Sequence, residues 1–329
     1  MARSCRSEHV RFDCLDHTMT RLRRRRARPF AGLAVAAVLA LAGCGVGGDG
    51  SGGRDPAAGA GVAPGSDTPL PAVARDDALA ARVPAAVRAD GVLTVGVEPT
   101  YPPNEFTAPD GSTVVGMSVD LGTAVAAKLG LGVRYETGQF SGIIPGVQGG
   151  RYEAGMSSFT INPERSGVVD MVSYFSAGTS LVVAAGNPEG ITPDDLCGRP
   201  VGVQAGTTQT EEVVGRDEAC VGAGREPIRV TELLAQTDVT LALVANRVDA
   251  MLADSPVASY AVTQSRGTTE IVGRPYDTAP YGIVLPKDGE LSDPVRAALQ
   301  ELIDDGTYRR ILDRWNVGDG AITTSEVGR

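Results

Sequence analysis

Short apolar runs alternate with helix-spaced patterns between residues 91 and 317. Residues 93–97 form the first apolar run, and within 116–130 Val119, Val125, Ala126 and Leu129 fall on one helical face. Ser118 is placed to cap that helix and Gly130 to end it: a side-chain oxygen satisfies free N–H groups at a helix start, and glycine accepts the left-handed turn at its end. Residues 133–135 give the next strand, Pro145 sits early in a helix starting at Ile143, and a strand at 154–157 empties into a polar loop. Further strands are expected at 181–185, 200–203, 228–230, 250–253 and 283–285, with helices at 209–214, 237–246 and 293–315. Strands this short and apolar, separated by helical patterns, predict an α/β architecture with mostly parallel strands, because a strand buried on both faces loses the alternation of a half-exposed sheet.

A different pattern precedes this body. Residues 31–42 are apolar or small, with Arg21, Arg23, Arg24, Arg25, Arg26 and Arg28 before them and Gly43-Cys44 after. The run is too short to span a bilayer, and its basic flank and terminal cysteine read as a lipoprotein signal peptide over 1–43, cleaved so that Cys44 carries the lipid. Met19 would open a more usual signal, which makes 1–18 an extension or a mis-set start, and Arg25-Arg26 leaves both the general and the twin-arginine export routes open. Residues 44–75 hold little but Gly, Ala, Pro, Ser and Asp, which bury too little to offset the entropy of folding. That stretch reads as a disordered linker, spanning roughly 30 Å as a Gly-rich coil. A short helical lead-in follows at 76–90.

Cleavage before Cys44 changes the chemistry available. It removes His9 and His17, the two histidines of the chain, with Cys5 and Cys14. A Ser-His-Asp triad, a Cys-His dyad and a histidine metal site are then excluded, so neither a metal nor a cofactor is expected. Cys197 and Cys220 remain besides Cys44, and in an oxidising compartment they are expected to pair. The full chain has a net charge of −10, and losing nine arginines and three acidic residues with the leader leaves the mature protein near −16. So acidic a body is repelled by nucleic acid and by anionic lipid, which leaves membrane attachment to the lipid on Cys44 at the extracytoplasmic face.

Several motifs follow in order: residues 93–103 with Glu98 and Tyr101, Gly116 to Leu121, Phe140-Ser-Gly-Ile-Ile-Pro145, Ser157 to Arg165, Gly202 to Gln209, Val248-Asp249-Ala250, Asp254-Ser-Pro256, Tyr281-Gly-Ile283, and Asp305-Gly-Thr-Tyr308 with Trp315. Together they resemble the polar amino acid family of extracytoplasmic solute-binding proteins that feed ABC importers. The resemblance covers the whole body and implies a two-lobe type II periplasmic-binding fold, with lobe one over 91–181 and 281–317, lobe two over 182–280, a two-strand hinge, and a tail at 318–329. It further implies a monomer that binds a small amino acid between its lobes and delivers it to permease and ATPase subunits.

The chemistry of a zwitterion can be laid on these residues directly. A buried carboxylate needs a fixed cation and a buried ammonium needs acceptors. Arg165 supplies two parallel donors for a carboxylate, a geometry lysine lacks, while Ser158 and Thr160 add hydroxyl and backbone groups. Thr207, Thr208 and Gln209 fall where a helix start offers backbone amides to the same carboxylate. Asp254, at the end of an apolar strand, is the expected partner of the ammonium. The resemblance makes Tyr101 and Phe140 the aromatic walls of the side-chain pocket, adds Ser157 and Gln204 to the ligand contacts, and puts Glu98 near the ligand's side-chain end. An acid there favours a cationic or amide side chain and repels an acidic one, so the ligand class expected is glutamine-like or basic.

Three departures from the family pattern bear on this. Asn104 replaces an aromatic and could reshape the side-chain pocket, Met117-Ser118 replace Phe-Asp, and Glu153 replaces Asp. Two other roles are compatible with the fold: a ligand sensor for a membrane receptor, and a dehydratase-like enzyme in which Glu98 or Glu153 would serve as general acid.

Overall fold

The computed structural model describes residues 69–70 and 72–328. The expected signal peptide, the lipidation site at Cys44 and the linker up to residue 68 lie outside them. The lead-in forms two helices, α1 (Asp77–Arg82) and α2 (Ala85–Arg88). Pro84 separates them, because it lacks the N–H that a continuing helix would use. Asp76 caps α1 by accepting from Leu79 N at 2.8 Å, and Leu79 and Val83 are buried in the main core.

The chain then runs through β1 (Val92–Val97), a small antiparallel sheet of β2 (Thr100–Tyr101), β3 (Glu105–Thr107) and β4 (Val114–Val115), and on to α3 (Met117–Lys128) and β5 (Gly132–Thr137). Next come α4 (Phe140–Gln148), β6 (Ala154–Thr160), α5 (Pro163–Val168), β7 (Val169–Ala184), β8 (Pro200–Gln204), α6 (Thr208–Gly222) and β9 (Arg229–Leu233). After α7 (Gln236–Val244), β10 (Ala250–Asp254), α8 (Ser255–Gln264) and β11 (Thr269–Pro286), the described residues finish with α9 (Ser292–Asp304), α10 (Thr307–Arg314) and β12 (Val327–Gly328).

One nine-stranded sheet has the order β5-β1-β6-β11-β7-β10-β8-β9, with β12 added on β7. Strands β5, β1 and β6 pair in parallel at one end, and β10, β8 and β9 at the other. The two long strands between them are antiparallel to each other and to their neighbours. Val169 of β7 faces Pro286 and Ala184 faces Thr269, so this pair runs the full width of the protein, and its register slips between Val272 and Tyr276 and between Tyr276 and Ala279. The parallel expectation therefore holds at both ends and gives way where β7 and β11 cross. Most of β7 escaped the sequence pattern because Asp170, Ser173 and Gly178 interrupt it. Their partners lie far along the chain: Asp170 accepts from Ser292 Oγ at 2.9 Å, and Ser173 accepts from Ser325 Oγ and Glu326 N. Those last contacts fix residues 325–328 onto β7 rather than leaving them as a loose tail.

The core is divided accordingly. Leu121, Leu299, Ile311 and Trp315 belong to the cluster beneath α3, α9 and α10, whereas Val239, Met251 and Val257, and separately Val201, Val213 and Cys220, fill clusters beneath α6, α7 and α8. Two helix expectations are corrected. Ser118 is not a cap: α3 starts after Gly116, and Ser118 is buried inside its first turn against Tyr174 Oη at 3.1 Å. The helix expected over 293–315 breaks at Gly306, whose φ of 77° turns the chain between α9 and α10.

Cys197 and Cys220 are joined, with Cα atoms 5.7 Å apart and a sequence separation of 23, stapling the end of α6 to the loop before β8. A loop of that size is worth about 3.5 kcal/mol by the chain-entropy account. Replacing both cysteines with serine should lower the thermal midpoint by roughly 7–14 °C; an unchanged midpoint by calorimetry would show that the staple constrains nothing.

Candidate functional site

Parallel strands end on one side of the sheet, and ligands of α/β proteins gather beyond those carboxyl ends. Here β1 ends before Glu98, β6 carries Ser157, Ser158 and Thr160, β8 ends at Gln204, and β10 ends at Asp254. These residues line one cavity, together with Tyr101 of β2, Phe140 at the start of α4, Arg165 of α5, and Thr207, Thr208 and Gln209 at the start of α6. All twelve residues expected at a binding site are thus brought together.

Arg165 is held from its own element. Asn162 Oδ1 accepts from Arg165 N at 2.9 Å and so caps α5, which aims the side chain back along β6. The guanidinium donates to Thr160 O at 2.9 Å and to Gly206 O at 3.2 Å, and its carbon lies 5.6 Å from the Phe140 ring centroid. Phe140 stacks in turn on Phe159, 4.5 Å between centroids. Burial lowers the pKa of Arg165, while Glu211, Asp254 and Glu164 pull it back up.

Two carboxyl groups share the cavity with this cation. Asp254 accepts from Gln209 Nε2 at 2.8 Å and from Tyr281 Oη at 2.6 Å, and its backbone N–H donates to Tyr101 Oη at 3.3 Å. Glu98 accepts from Thr100 Oγ1 at 2.8 Å and from Gln204 Nε2 at 3.0 Å, while its N–H donates to Ser157 Oγ at 3.0 Å. Desolvation raises the pKa of both, against hydrogen bonds that favour the charged forms. At the opposite wall Thr207 accepts from Thr210 N and donates to Gln204 O at 2.7 Å, capping α6. The following N–H groups lack an intrahelical acceptor, as at every helix start, and make an anion-binding end.

Several contributors escaped the sequence reading. Tyr281 stands out in its Tyr-Gly-Ile motif, yet nothing in the sequence pairs it with Asp254. Thr179, whose hydroxyl accepts from Gln209 Nε2 at 3.0 Å, carries no local signal. Thr100 is legible only as a neighbour of Glu98; besides its bond to that side chain it accepts from Gln236 N at 3.0 Å. Two expectations about the departures fail. Asn104 does not line the cavity: it is fully buried behind Ser158, donating to Ser158 Oγ at 3.0 Å. Glu153 lies away from the cavity and accepts from Thr94 N at 2.7 Å, which removes it as a general acid there. Among the described residues no group of acidic, cysteine or histidine side chains could hold a metal ion.

Comparison with known proteins follows the geometry. Residues 93–318 match the family of bacterial extracellular solute-binding proteins, family 3. The arginine-binding protein ArgT of Corynebacterium glutamicum is 37% identical over 245 residues, 74% of this chain and 80% of that protein. Among solved structures, an ancestral arginine-binding protein bound to arginine has a TM-score of 0.64 at 36% identity, covering 68% of this chain and 98% of its own. An ancestral arginine-binding protein bound to glutamine has a TM-score of 0.63 at 36% identity, covering 69% of this chain and 98% of its own.

Four buried carboxyls, Glu98, Glu105, Asp120 and Asp254, have pKa values raised by burial, which makes the stability of the ligand-free protein depend on pH. Because each binds its proton more readily folded than unfolded, folding takes up protons, and their contribution is largest near pH 4 and lost as pH rises through the folded pKa values. The urea midpoint of the ligand-free protein should therefore fall as pH rises from the ordinary carboxylate range through neutrality. A midpoint that climbs over that interval would contradict the burial of these charges.

Proposed function

The chain belongs to the bacterial extracellular solute-binding proteins, family 3, and from that premise we propose that it captures a cationic or polar amino acid and hands it to the permease of an ABC importer. The observation that carries the reading is the charge of the cavity: one guanidinium, Arg165, against two carboxylates, Glu98 and Asp254. In this reading the ligand carboxylate sits on Arg165 and the start of α6, and its ammonium on Asp254. Its side chain lies between Tyr101 and Phe140 and reaches Glu98. With both acids ionised the cavity carries a net charge of −1, so a ligand of charge +1 leaves no buried charge uncompensated. A neutral glutamine would require one acid, most readily Glu98, to take up a proton.

The proposal divides the body into lobes of 91–181 with 281–317 and of 182–280, hinged where β7 and β11 cross. The register slips of β11 between Val272 and Ala279 support a flexible crossing there. Hydrogen bonds that join the two sides include Gln204 Nε2 to Glu98, Arg165 Nη2 to Gly206 O, Gln236 N to Thr100 Oγ1, Asp254 N to Tyr101 Oη and Tyr281 Oη to Asp254. They favour a closed arrangement that ligand would strengthen by bonding both sides. A lipid on Cys44 and the linker after it would hold the body at the outer face of the membrane. The chain acts by binding rather than by catalysis in this account, since every polar side chain of the cavity has a place in ligand capture.

Titration with L-arginine and L-glutamine, scored by thermal shift and calorimetry, tests the assignment. Arg165→Ala should cost about 2–5 kcal/mol of binding, because it leaves the ligand carboxylate buried and unpaired. Glu98→Gln should weaken arginine by about tenfold or more and spare glutamine. A loss under about threefold for Arg165→Ala, or equal effects of Glu98→Gln on both ligands, would refute the roles given to these side chains.

A further inference from the structure

One carboxyl group close to the cavity has no part in the ligand contacts described above. Glu105 of β3 is fully buried, and neither of its carboxyl oxygens receives a well-directed hydrogen bond; Asn104 Oδ1, on the preceding residue, is in the same condition. Four polar groups surround this pair. Asn104 Nδ2 donates to Ser158 Oγ at 3.0 Å, Ser158 N donates to Tyr174 Oη at 3.2 Å, and Tyr174 Oη lies 3.1 Å from Ser118 Oγ. The Ser118 and Ser158 hydroxyls are near enough to Glu105 to lower its pKa. Ser158, which lines the cavity, has a φ of 56°, a left-handed conformation that a serine keeps only where its surroundings hold it.

Tyr174 Oη accepts from Ser158 N and shares one proton with Ser118 Oγ in either direction, so that one of these two hydroxyl protons is left for Glu105. Ser158 Oγ accepts from Asn104, which leaves its one proton to point either into the cavity or back at Glu105. We propose that Glu105 is a positioning residue for ligand capture, deciding through Ser158 whether that hydroxyl donates to the ligand carboxylate or back into the protein. The inference rests on the amino acid reading above, in which Ser158 lies beside the ligand carboxylate.

Desolvation pushes the Glu105 carboxyl well above its usual range, and the ionisable groups that face it give no cationic relief: Glu98 beyond β1, Tyr101 on β2, Tyr174 on β7 and Asp254 at the end of β10. In its neutral form Glu105 can donate to Ser158 Oγ, freeing and polarising the Ser158 proton for the ligand. Once ionised it can only accept, so the Ser158 hydroxyl turns back and a negative charge stands behind the ligand carboxylate. Ligand thus prefers the protonated protein. Binding raises the Glu105 pKa further, takes up a proton above its ligand-free pKa, and weakens as pH rises.

The test is calorimetric titration of the purified protein with L-arginine from about pH 6 to about pH 9, in two buffers of different ionisation enthalpy. The unaltered protein should take up a proton on binding towards alkaline pH. Glu105→Ala should weaken arginine by about tenfold, Glu105→Gln should recover most of that loss while abolishing the proton uptake, and in a Ser158→Ala background Glu105→Ala should cost under about twofold. Undiminished proton uptake in Glu105→Gln, or an equal loss from Glu105→Ala with and without Ser158, would overturn the inference while leaving the transport reading intact. No binding of L-arginine by the unaltered protein at any pH would overturn both. Should Glu105→Ala fail to fold, the proton uptake of Glu105→Gln still decides.

Discussion

A charge taken out of water must meet its counter-charge, and in this protein that requirement falls on a cavity holding one guanidinium and two carboxyl groups. An isolated ion in such a place would be prohibitively costly, so each is hydrogen-bonded from more than one element. Arg165 leans on the carbonyls of Thr160 and Gly206, Asp254 on Gln209 and Tyr281, and Glu98 on Thr100 and Gln204. Much of the local structure can be understood as what it takes to hold three charges still and leave one net charge for a ligand to match.

The sheet makes this economical. Because β1, β6, β8 and β10 all end at the cavity, each contributes a side chain without a long loop to order. Two helix caps complete the constellation: Asn162 turns α5 so that Arg165 faces inward, and Thr207 sets the start of α6 against the same space. The long pair β7 and β11 is the continuous structure that passes from one group of parallel strands to the other, and two of its three register slips fall between Val272 and Ala279, the third lying between Tyr281 and Gly282. The candidate site and the proposed hinge thus share the same strands, through Thr179 of β7 and Tyr281 of β11, which bond Gln209 and Asp254.

What the sequence disclosed follows from the range of the interactions involved. Residues 93–97 and 250–253 are apolar because both faces of those strands are covered, and a local pattern suffices to read them. Arg165 and Asp254 are legible because a zwitterion calls for a fixed cation and an acceptor, and Glu98 because the ordered motifs resemble those of a known family. The course of β7 is not, since its buried Asp170 and Ser173 are tolerated only through Ser292, Ser325 and Glu326, far along the chain. Ser118 looked like a cap and Asn104 like a pocket wall for the same reason. Each is defined by a partner over fifty residues away, Tyr174 for one and Ser158 for the other, with separations of 56 and 54.

The central claim is that the cavity's charge balance selects a ligand of charge +1. L-citrulline matches L-arginine in shape and lacks its charge, so calorimetric titration with the two ligands at neutral pH isolates that term. The account predicts that arginine binds at least about a hundredfold more tightly, on the order of 3 kcal/mol for an ion pair in a largely dry site. Equal affinities would contradict it, because Glu98 and Asp254 would then not be reading the charge of the ligand.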